Sequence, residues 1–357
     1  MGVGVEQPVL GLGLLGFSEQ MGVRLQTWAA QTPSGWPEWR TCDPHLADAW
    51  MIAGDAVEVL GRDEVVIRHP HGSDERLTLN RVEVDRPLAF AAPLPEGFAS
   101  AEFFEADSEA SVRQRLQRFE AWLRPLRSQF ALGALLVEQL SACRSGDVVH
   151  VTLSGKLLAV IDIQRWQAAL LIPARPVDLS MAEWVHGPAL SKDIPPSFIR
   201  LPLHRVMWTY AVRTRRDVLP KRYREQRLYL RRVPRLPAHW FDEIHLSLMR
   251  ELMARPASFS QLLERTGWPD HELARHIGAL YHAGGLTTDP ESARRAEAET
   301  RRAMVALRFD QADRESELQT HHGQSEMMGP SSILREAVHS PLRVSTGKTG
   351  QDSVRGP

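Results

Sequence analysis

Cysteine is scarce in this sequence: among 357 residues only Cys42 and Cys143 carry a thiol. Two cysteines this far apart form neither a disulfide framework nor the closely spaced pairs of a zinc motif. Long apolar runs are also missing, since no stretch approaches the roughly eighteen residues of a membrane-spanning helix. The N-terminus has no basic stretch followed by a long apolar segment, which is the pattern of a secretion signal. We therefore expect a cytoplasmic protein with no membrane contact.

The short motifs of several large enzyme classes are absent too. The sequence has no Gly-x-Ser-x-Gly nucleophile elbow, no Gly-x-x-x-x-Gly-Lys-Ser/Thr phosphate loop and no His-Glu-x-x-His zinc motif. His69-Pro70-His71 places two imidazoles close together, but two such ligands without a third nearby are more typical of a solvated loop than of a zinc site. We predict a non-enzymatic protein with no catalytic residue, no cofactor and no metal site.

Charge is distributed unevenly along the chain. The net charge is −1, yet residues 200–235 hold twelve cations against two anions, a local charge of +10. The rest of the sequence must then carry −11. The apolar share of 43% and the charged share of 24% are ordinary for a soluble protein, and the length suffices for about two or three domains.

This basic segment, residues 200–235, predicts an anion-binding site. Arginine presents a planar, bidentate donor group to phosphate, and the interleaved Tyr223 and Tyr229 offer stacking surfaces for bases. Two alternatives stay open: the arginines pair with the acidic excess elsewhere in the chain, or Arg213 and its neighbours grip the phosphates of a cyclic dinucleotide. The candidate nucleic-acid or anion-binding residues are Arg213, Arg215, Arg216, Lys221, Arg222, Arg224, Arg227, Arg231 and Arg232.

Residues 239–288 predict three helices followed by a short strand. The second helix begins with a capping box formed by Ser258 and Gln261, and Gly267 ends it in the tight turn that a helix–turn–helix needs. Gly284-Gly285 ends the third helix. The apolar stripes of the first and third helices are Phe241, Ile244, Leu248 and Leu252, and Leu273, Ile277 and Leu280.

This arrangement of caps, glycines and stripes resembles the winged-helix branch of the helix–turn–helix superfamily. The resemblance implies that the third helix faces a partner, and its outward positions are predicted to be Asp270, His271, Glu272, Arg275, His276 and His282. Base readout needs Arg, Lys, Asn or Gln at such positions, whereas two carboxylates stand at the leading end here. Both DNA and a protein therefore remain candidate partners. The predicted contact residues are His271, Glu272, Arg275 and His276.

Gly11–Gly16 matches the Gly-x-Gly-x-x-Gly fingerprint of dinucleotide-binding folds. In those folds the glycines permit a tight turn and let backbone amides approach a pyrophosphate. The alternative is a buried, glycine-rich strand, which is favoured because the helix starts after the glycines, at Ser18.

Residues 8–100 loosely resemble a degenerate receiver domain of bacterial response regulators. The resemblance rests on a strand, a helix, the Asp48-led run Asp48–Gly54, and Ala91-Ala92-Pro93-Leu94. In a receiver, a pair of acidic metal ligands would stand near Leu15–Gly16. The phosphoacceptor aspartate would stand at the position of Ala53, and the lysine of the last strand at the position of Ala92. None of these positions carries the required group, so phosphorylation is not expected. Residues 56–84 also predict strands, with a hairpin turn at Gly61-Arg62-Asp63.

The remaining segments complete an α+β multidomain prediction. A helix over 108–139, divided near Pro125, is a connector that either forms a homodimer face or packs within the monomer. A hairpin at Ser154-Gly155 belongs to a small α+β domain, and the tail from residue 321 is predicted to be disordered. The predicted domains are 1–105 (α/β, pseudo-receiver-like), 106–143 (helical connector), 147–237 (small α+β with the basic segment), 238–289 (winged-helix-like) and 290–357 (charged helix and disordered tail).

These features predict a non-enzymatic regulatory protein of the bacterial type, with a DNA-binding transcriptional regulator as one form of this prediction. A signalling scaffold that binds proteins through the helix–turn–helix face is the first alternative. A nucleotide-binding protein that uses Gly11–Gly16 is the second.

Overall fold

The computed structural model describes residues 6–33, 35–68, 76–98, 100, 102–139, 147–186 and 196–299, which form a mixture of helices and several sheets, as the α+β prediction requires. Met1–Glu299 belong to one compact unit; a second, Thr300–Pro357, lies outside the described residues, as do the predicted disordered tail, His69-Pro70-His71 and Cys143. No helix in the described part of the chain has the length and hydropathy to cross a membrane.

Among the described residues, the N-terminal region has eight strands, one α-helix and a short 3-10 turn at Gly54–Ala56. They are β1 (Val9–Leu15), α1 (Glu19–Ala30), β2 (Glu38–Thr41), β3 (Ala49–Ile52), β4 (Val57–Val59), β5 (Glu64–Arg68), β6 (Arg76–Asn80), β7 (Leu88–Ala92) and β8 (Phe103–Glu105). Five of them form a parallel sheet in the order β2-β1-β3-β7-β8. When only these five strands are numbered along the chain, the order is 2-1-3-4-5. This is one of the two common orders of doubly wound α/β sheets.

Both faces of the parallel sheet are buried, which explains the continuous apolar character of its strands. One face packs against α1 and α2 (Glu109–Trp122), with Leu25 and Phe119 in the shared core. A second sheet, β4-β5-β6, is antiparallel and covers the other face through Val65 and Ile67. The strands predicted for residues 56–84 are therefore confirmed, and they stand where a doubly wound fold would place a helix.

The predicted helix over 108–139 is divided, as Pro125 indicated. α2 ends at Trp122 and α3 (Arg124–Gln139) begins two residues later, with Pro125 in its first turn, where a missing amide hydrogen costs no hydrogen bond. α2 packs on the parallel sheet, and α3 packs on a separate antiparallel sheet. The apolar stripe is thus covered by the chain's own sheets, so a homodimer through 108–139 would have to use the exposed faces of these helices.

The antiparallel sheet has the order β12-β9-β10-β11-β13. Its elements are β9 (Val148–Leu153), β10 (Lys156–Asp162), β11 (Gln167–Leu171), α4 (Pro176–Ser180), β12 (Glu183–His186) and β13 (Phe198–Pro202). Ser154 and Gly155 join β9 to β10 with φ of 50° and 77°, the left-handed backbone of a two-residue hairpin turn. The predicted hairpin is confirmed.

The basic segment and the helix–turn–helix fold together. Their elements are α5 (Leu203–Ala211), α6 (Lys221–Glu225), β14 (Arg227–Leu230), α7 (Glu243–Ala254), β15 (Ala257–Ser258), α8 (Phe259–Thr266), α9 (Asp270–His282) and β16 (Leu286–Thr287). The three helices and the strand predicted for 239–288 are confirmed as α7, α8, α9 and β16. The Ser258–Gln261 capping box is present, and Gly267 adopts a φ of 67°.

One strand of the basic segment completes the helix–turn–helix module. β14 lies between β15 and β16 in a three-stranded sheet. Trp208 and Leu228 share a buried core with Leu248, Leu262 and Leu280. The predicted boundary between residues 237 and 238 therefore falls inside one continuous core. Beyond β16, residues 290–299 are helical.

Candidate functional site

The Gly-x-Gly-x-x-Gly run has a packing role. Gly11 and Gly13 lie within β1, and not in a loop. A Cβ atom on Gly11 would lie 2.9 Å from Cys42 Sγ, and one on Gly13 would lie 2.7 Å from Trp50 Cδ1. The glycines therefore let the connection between β2 and β3 lie flat against β1. This accounts for them without a pyrophosphate, as in the buried-strand alternative.

The residues to which the receiver resemblance assigned chemistry include two sites at the carboxyl edge of the parallel sheet, where doubly wound folds bind ligands. β1 ends at Leu15 and β3 at Ile52, so Leu15–Gly16 and Ala53 occupy the expected places. The assignment of Ala92 to the last strand is wrong, because β7 is the fourth strand of the sheet and β8, ending at Glu105, is the fifth.

This edge is also closed by packing. A Cβ atom on Gly54, which follows β3 closely, would collide with the backbone carbonyl oxygens of Ala91 and Pro93. Directly after the neighbouring strand β1, a Cβ atom on Gly16 would lie 2.5 Å from Ala56 Cβ. Backbone and small side chains therefore fill the space in which a receiver holds its metal ion and phosphoryl group.

Four of the nine candidate anion-binding cations are paired with carboxylates of the same chain. Arg213 Nη2 lies 2.6 Å from Asp48 Oδ1, and Arg215 pairs with Glu38. The other two pairings are Arg216 Nη1 with Glu138 Oε1 at 2.6 Å, and Arg224 with both Asp217 at 2.8 Å and Asp270 at 2.9 Å. The hydrogen bond to Glu138 raises the pKa of Arg216. For these four residues the internal-pairing alternative fits the contacts.

The other five candidates are exposed and make no ion pair with the described residues: Lys221, Arg222, Arg227, Arg231 and Arg232. We call these five residues the basic surface. They lie on α6, at the start of β14 and directly after its end. Desolvation and then repulsion from Arg231 and Arg235 lower the pKa of Arg232, and the nearby charge of Glu299 opposes this shift.

The third helix of the module is enclosed and does not present a reading face. α9 packs against α5 and α7, and Val218 and Leu219 lie over Gly278. The prediction that His276 faces a partner is wrong, because His276 is 5% exposed, and the outward placement of His282, which is 7% exposed, is wrong for the same reason. The sequence predicted one apolar stripe on α9, and Val218 and Leu219 cover the opposite side at Gly278 and His282.

Apart from Tyr281, which is half-buried, the leading end of α9 is the part that reaches solvent. His271 is exposed, Glu272 and Arg275 are half-buried, and Asp270 is exposed but held by Arg224. This surface, which we call the α9 tip (Asp270, His271, Glu272 and Arg275), contains three of the four predicted contact residues. Two of its four side chains are carboxylates.

A cluster that the sequence did not predict lies where α7 meets α9. Asp242 is the N-cap of α7 and accepts a hydrogen bond from the His245 backbone amide at 2.8 Å. His245 Nδ1 lies 2.7 Å from Asp242 Oδ1, and His245 Nε2 lies 3.1 Å from His276 Nδ1. Arg275 Nη2 lies 3.4 Å from His276 Nε2. We call Asp242, His245 and His276 the histidine cluster.

Close polar contacts hold the cluster together. Arg275 donates to His276 Nε2, and a hydrogen bond joins His276 Nδ1 and His245 Nε2. His245 Nδ1 lies beside both the Asp242 carboxylate and the Asp242 backbone amide, which is 3.4 Å away. Burial and the nearby His245 lower the pKa of His276 to about 3. Burial alone would raise the pKa of Asp242, but the hydrogen bond from His245 and the charges of the two histidines outweigh it and lower the value to about 2.

Sequence reasoning missed this cluster because His276 belongs to a different helix. The local signal was Asp242 and His245, which are one helical turn apart at the start of α7 and form a capping box there. Only the packing of α9 on α7 brings His276 to them.

A separate cavity of about 890 Å³ opens at the amino edge of the parallel sheet. Arg127 and Arg215 line it together with Glu6 and Glu38, so its charged groups balance. Arg215 pairs with Glu38 across this lining, and Glu6 pairs with Arg216. The cavity lies opposite the edge at which doubly wound folds bind their ligands.

Comparison of the chain with protein-family models, curated proteins and solved structures finds no match.

Proposed function

We propose that this chain is a non-enzymatic regulatory protein that acts by binding a protein partner through the α9 tip. The carrying observation is the enclosure of α9: α5 and α7 cover its sides, which leaves only a mixed-charge end exposed. A DNA-reading helix needs a long exposed face of hydrogen-bond donors. The α9 tip instead offers carboxylates, a histidine and an arginine, a combination that suits charged side chains of another protein.

The N-terminal region supports the same proposal. Its 2-1-3-4-5 strand order is also that of receiver domains, so a receiver-like origin fits the topology. Ala53 stands where the phosphoacceptor would be, and Gly54 packs against the carbonyl groups of the neighbouring strand end. A receiver-like domain without metal or phosphate chemistry is suited to act as a constant scaffold.

The experiment that tests this function is affinity capture with the full chain as bait. The test variant combines Glu272→Lys with Arg275→Glu, which reverses two charges of the α9 tip and leaves the net charge unchanged. The control variant combines Glu291→Lys with Arg294→Glu, an exposed ion pair at 2.9 Å in the helical residues 290–299. We expect a specific partner that the test variant loses and the control retains. Equal recovery by wild type and both variants would contradict the proposal.

Sequence-independent nucleic-acid binding is the second candidate function. The basic surface favours it, because its five cations are exposed and none forms an ion pair within 4.0 Å among the described residues. Phosphate contacts of this kind give affinity without base readout, so an enclosed α9 does not conflict with this function. The corresponding salt-dependence experiment is given in the Discussion.

A further inference from the structure

The histidine cluster brings two imidazoles and one carboxylate to a common point. One ligand atom from each of Asp242, His245 and His276 lies within 4.8 Å of the others. His276 Nδ1 is 3.1 Å from His245 Nε2 and 3.4 Å from Asp242 Oδ2. In a tetrahedral zinc site with metal–ligand bonds of about 2.0–2.1 Å, ligand atoms are about 3.3–3.4 Å apart. Both measured separations are close to that value.

We propose that Asp242, His245 and His276 bind a divalent transition-metal ion of the zinc class. The ligand atoms are one carboxylate oxygen of Asp242 and one ring nitrogen each of His245 and His276. Imidazole nitrogen with one carboxylate oxygen is a donor set that zinc and its first-row neighbours prefer to magnesium or calcium. Three protein ligands leave one position of a tetrahedron for water.

Asp242 lies close to both imidazoles. Its Oδ1 is 2.7 Å from His245 Nδ1, and its Oδ2 is 3.4 Å from His276 Nδ1. One carboxylate therefore faces a ring nitrogen of each histidine.

The surroundings enclose the imidazoles and leave a path at the carboxylate. The side chains of His245 and His276 are 3% and 6% exposed, whereas that of Asp242 is 21% exposed. The Trp208 ring lies 4.6 Å from the His245 ring and the Phe241 ring lies 6.4 Å from it, so aromatic groups line the inner side. An ion and its water would therefore enter beside Asp242.

Metal binding would break the hydrogen bond between the two imidazoles, because each ring must turn a lone pair toward the ion. Arg275 Nη2 lies 3.4 Å from His276 Nε2. With His276 Nδ1 on the ion, Nε2 would carry the proton and Arg275 would lose its acceptor. Arg275 is therefore a competitor of the metal, and not a ligand.

The proposed site would fasten the start of α7 to the middle of α9, two of the three helices of the module. It depends only on the geometry of the cluster, and it stands or falls separately from the partner-binding function. Sequence reasoning predicted no metal site; this proposal replaces that expectation for these three residues.

The test is zinc titration of the full chain after dialysis against a chelator, followed by calorimetry. A thermal melt with zinc and with excess chelator accompanies it. We expect saturable one-to-one binding and a melting temperature that zinc raises and chelator restores, because an ion that binds only the folded state stabilises it. Cobalt(II) in place of zinc should give the visible absorption of a low-coordinate site with nitrogen ligands. An unchanged melting temperature together with no saturable binding would overturn the proposal.

Three variants separate this site from histidines elsewhere in the chain. Asp242→Asn retains an N-cap side chain and removes the carboxylate, and His276→Gln removes an imidazole; each should weaken binding at least about tenfold. His271→Gln, an exposed change on the same helix, is the control and should bind as wild type does. Binding that survives both cluster variants would assign the zinc to other histidines and overturn the proposal. Arg275→Gln should bind zinc as tightly as wild type, or more tightly.

Discussion

Asp48 and Arg213 form a partly buried ion pair between two segments that lie 165 residues apart: Arg213 Nη2 is 2.6 Å from Asp48 Oδ1. The second carboxylate oxygen of Asp48 accepts a hydrogen bond from the Gly11 amide at 2.8 Å. The basic segment is thereby attached to the first strand of the parallel sheet. Arg213, a candidate for phosphate binding from the sequence, has a structural role.

Arg213→Ala should lower the free energy of unfolding by about 3 kcal/mol, because it leaves the Asp48 carboxylate without its ionic partner in a poorly solvated place. The measurement is chemical denaturation at neutral pH. Arg68→Ala is the control: the Arg68–Glu58 pair has exposed side chains (62% and 42%), and such pairs contribute about 0–1 kcal/mol. Equal losses in the two variants would show that the Asp48–Arg213 pair is no more than a surface contact.

The basic surface and the internally paired arginines should differ in their effect on nucleic-acid binding. Replacing Arg222, Arg227 and Arg231 by Ala should reduce the slope of log affinity against log salt by about 2–3 units on mixed-sequence duplex DNA, since each phosphate contact contributes about 0.9. The matched triple variant replaces Arg215, Arg216 and Arg224 by Ala. It removes the same three positive charges, but from residues that already form ion pairs with carboxylates of the chain. Fluorescence anisotropy across a salt series provides both slopes.

The matched variant should leave the slope nearly unchanged. A slope that falls equally in both triple variants would mean that the internal pairs open on binding. Absence of wild-type binding at low salt would remove nucleic acid as the second candidate function and leave protein binding alone.

The closed carboxyl edge of the parallel sheet can be tested with two glycine substitutions. Gly54→Ala should destabilise the protein by about 1–3 kcal/mol, because the new methyl group would meet the carbonyl oxygens of Ala91 and Pro93. Gly22→Ala is the control within α1, where a Cβ atom meets nothing within 4 Å. It should stabilise the protein by about 0.5–1 kcal/mol through helix propensity. Thermal or chemical unfolding measures both, and an unaffected Gly54→Ala variant would mean that the edge has free space.

His282 should make folding stability depend on pH. Burial lowers its pKa to about 4, although its hydrogen bond to the Val218 carbonyl opposes the shift. In the unfolded chain the pKa of His282 is near 6.5. Between about pH 6.5 and pH 4 the unfolded chain therefore binds a proton at His282 that the folded chain does not bind. Stability is fully present above about pH 6.5 and is lost as the pH falls toward 4. We expect a loss of about 1–2 kcal/mol from this group between pH 7 and pH 5.

Denaturation curves at pH 7, 6 and 5 measure this effect. His282→Gln should be less stable than wild type at pH 7 but should lose less stability on acidification. His271→Gln, which changes an exposed histidine, should follow the wild-type pH dependence. A pH profile of His282→Gln parallel to that of wild type would show that His282 is not the group that titrates.

The local structure of this protein follows from short stretches of sequence. Ser258 and Gln261 cap α8, Gly267 supplies the left-handed turn after it, and Pro125 marks the division of α2 from α3. Each depends on the backbone conformation and hydrogen bonding of residues within about one helical turn. For that reason the helices of residues 239–288 and the hairpin at Ser154-Gly155 were predictable without knowing what packs on them.

The neighbours of those elements were decided by the tertiary structure. An apolar stripe shows that a helix face is buried, but it does not say which element covers it or whether the other face is covered too. α5 encloses α9, so His276 is a core residue beside His245 and Asp242, and not a contact residue. The same distinction applies to charge. The sequence determined that residues 200–235 carry a net charge of +10. Only the fold placed Asp48 beside Arg213 and left Arg227 without an ion pair among the described residues. Ion pairing depends on distances between groups that are remote along the chain.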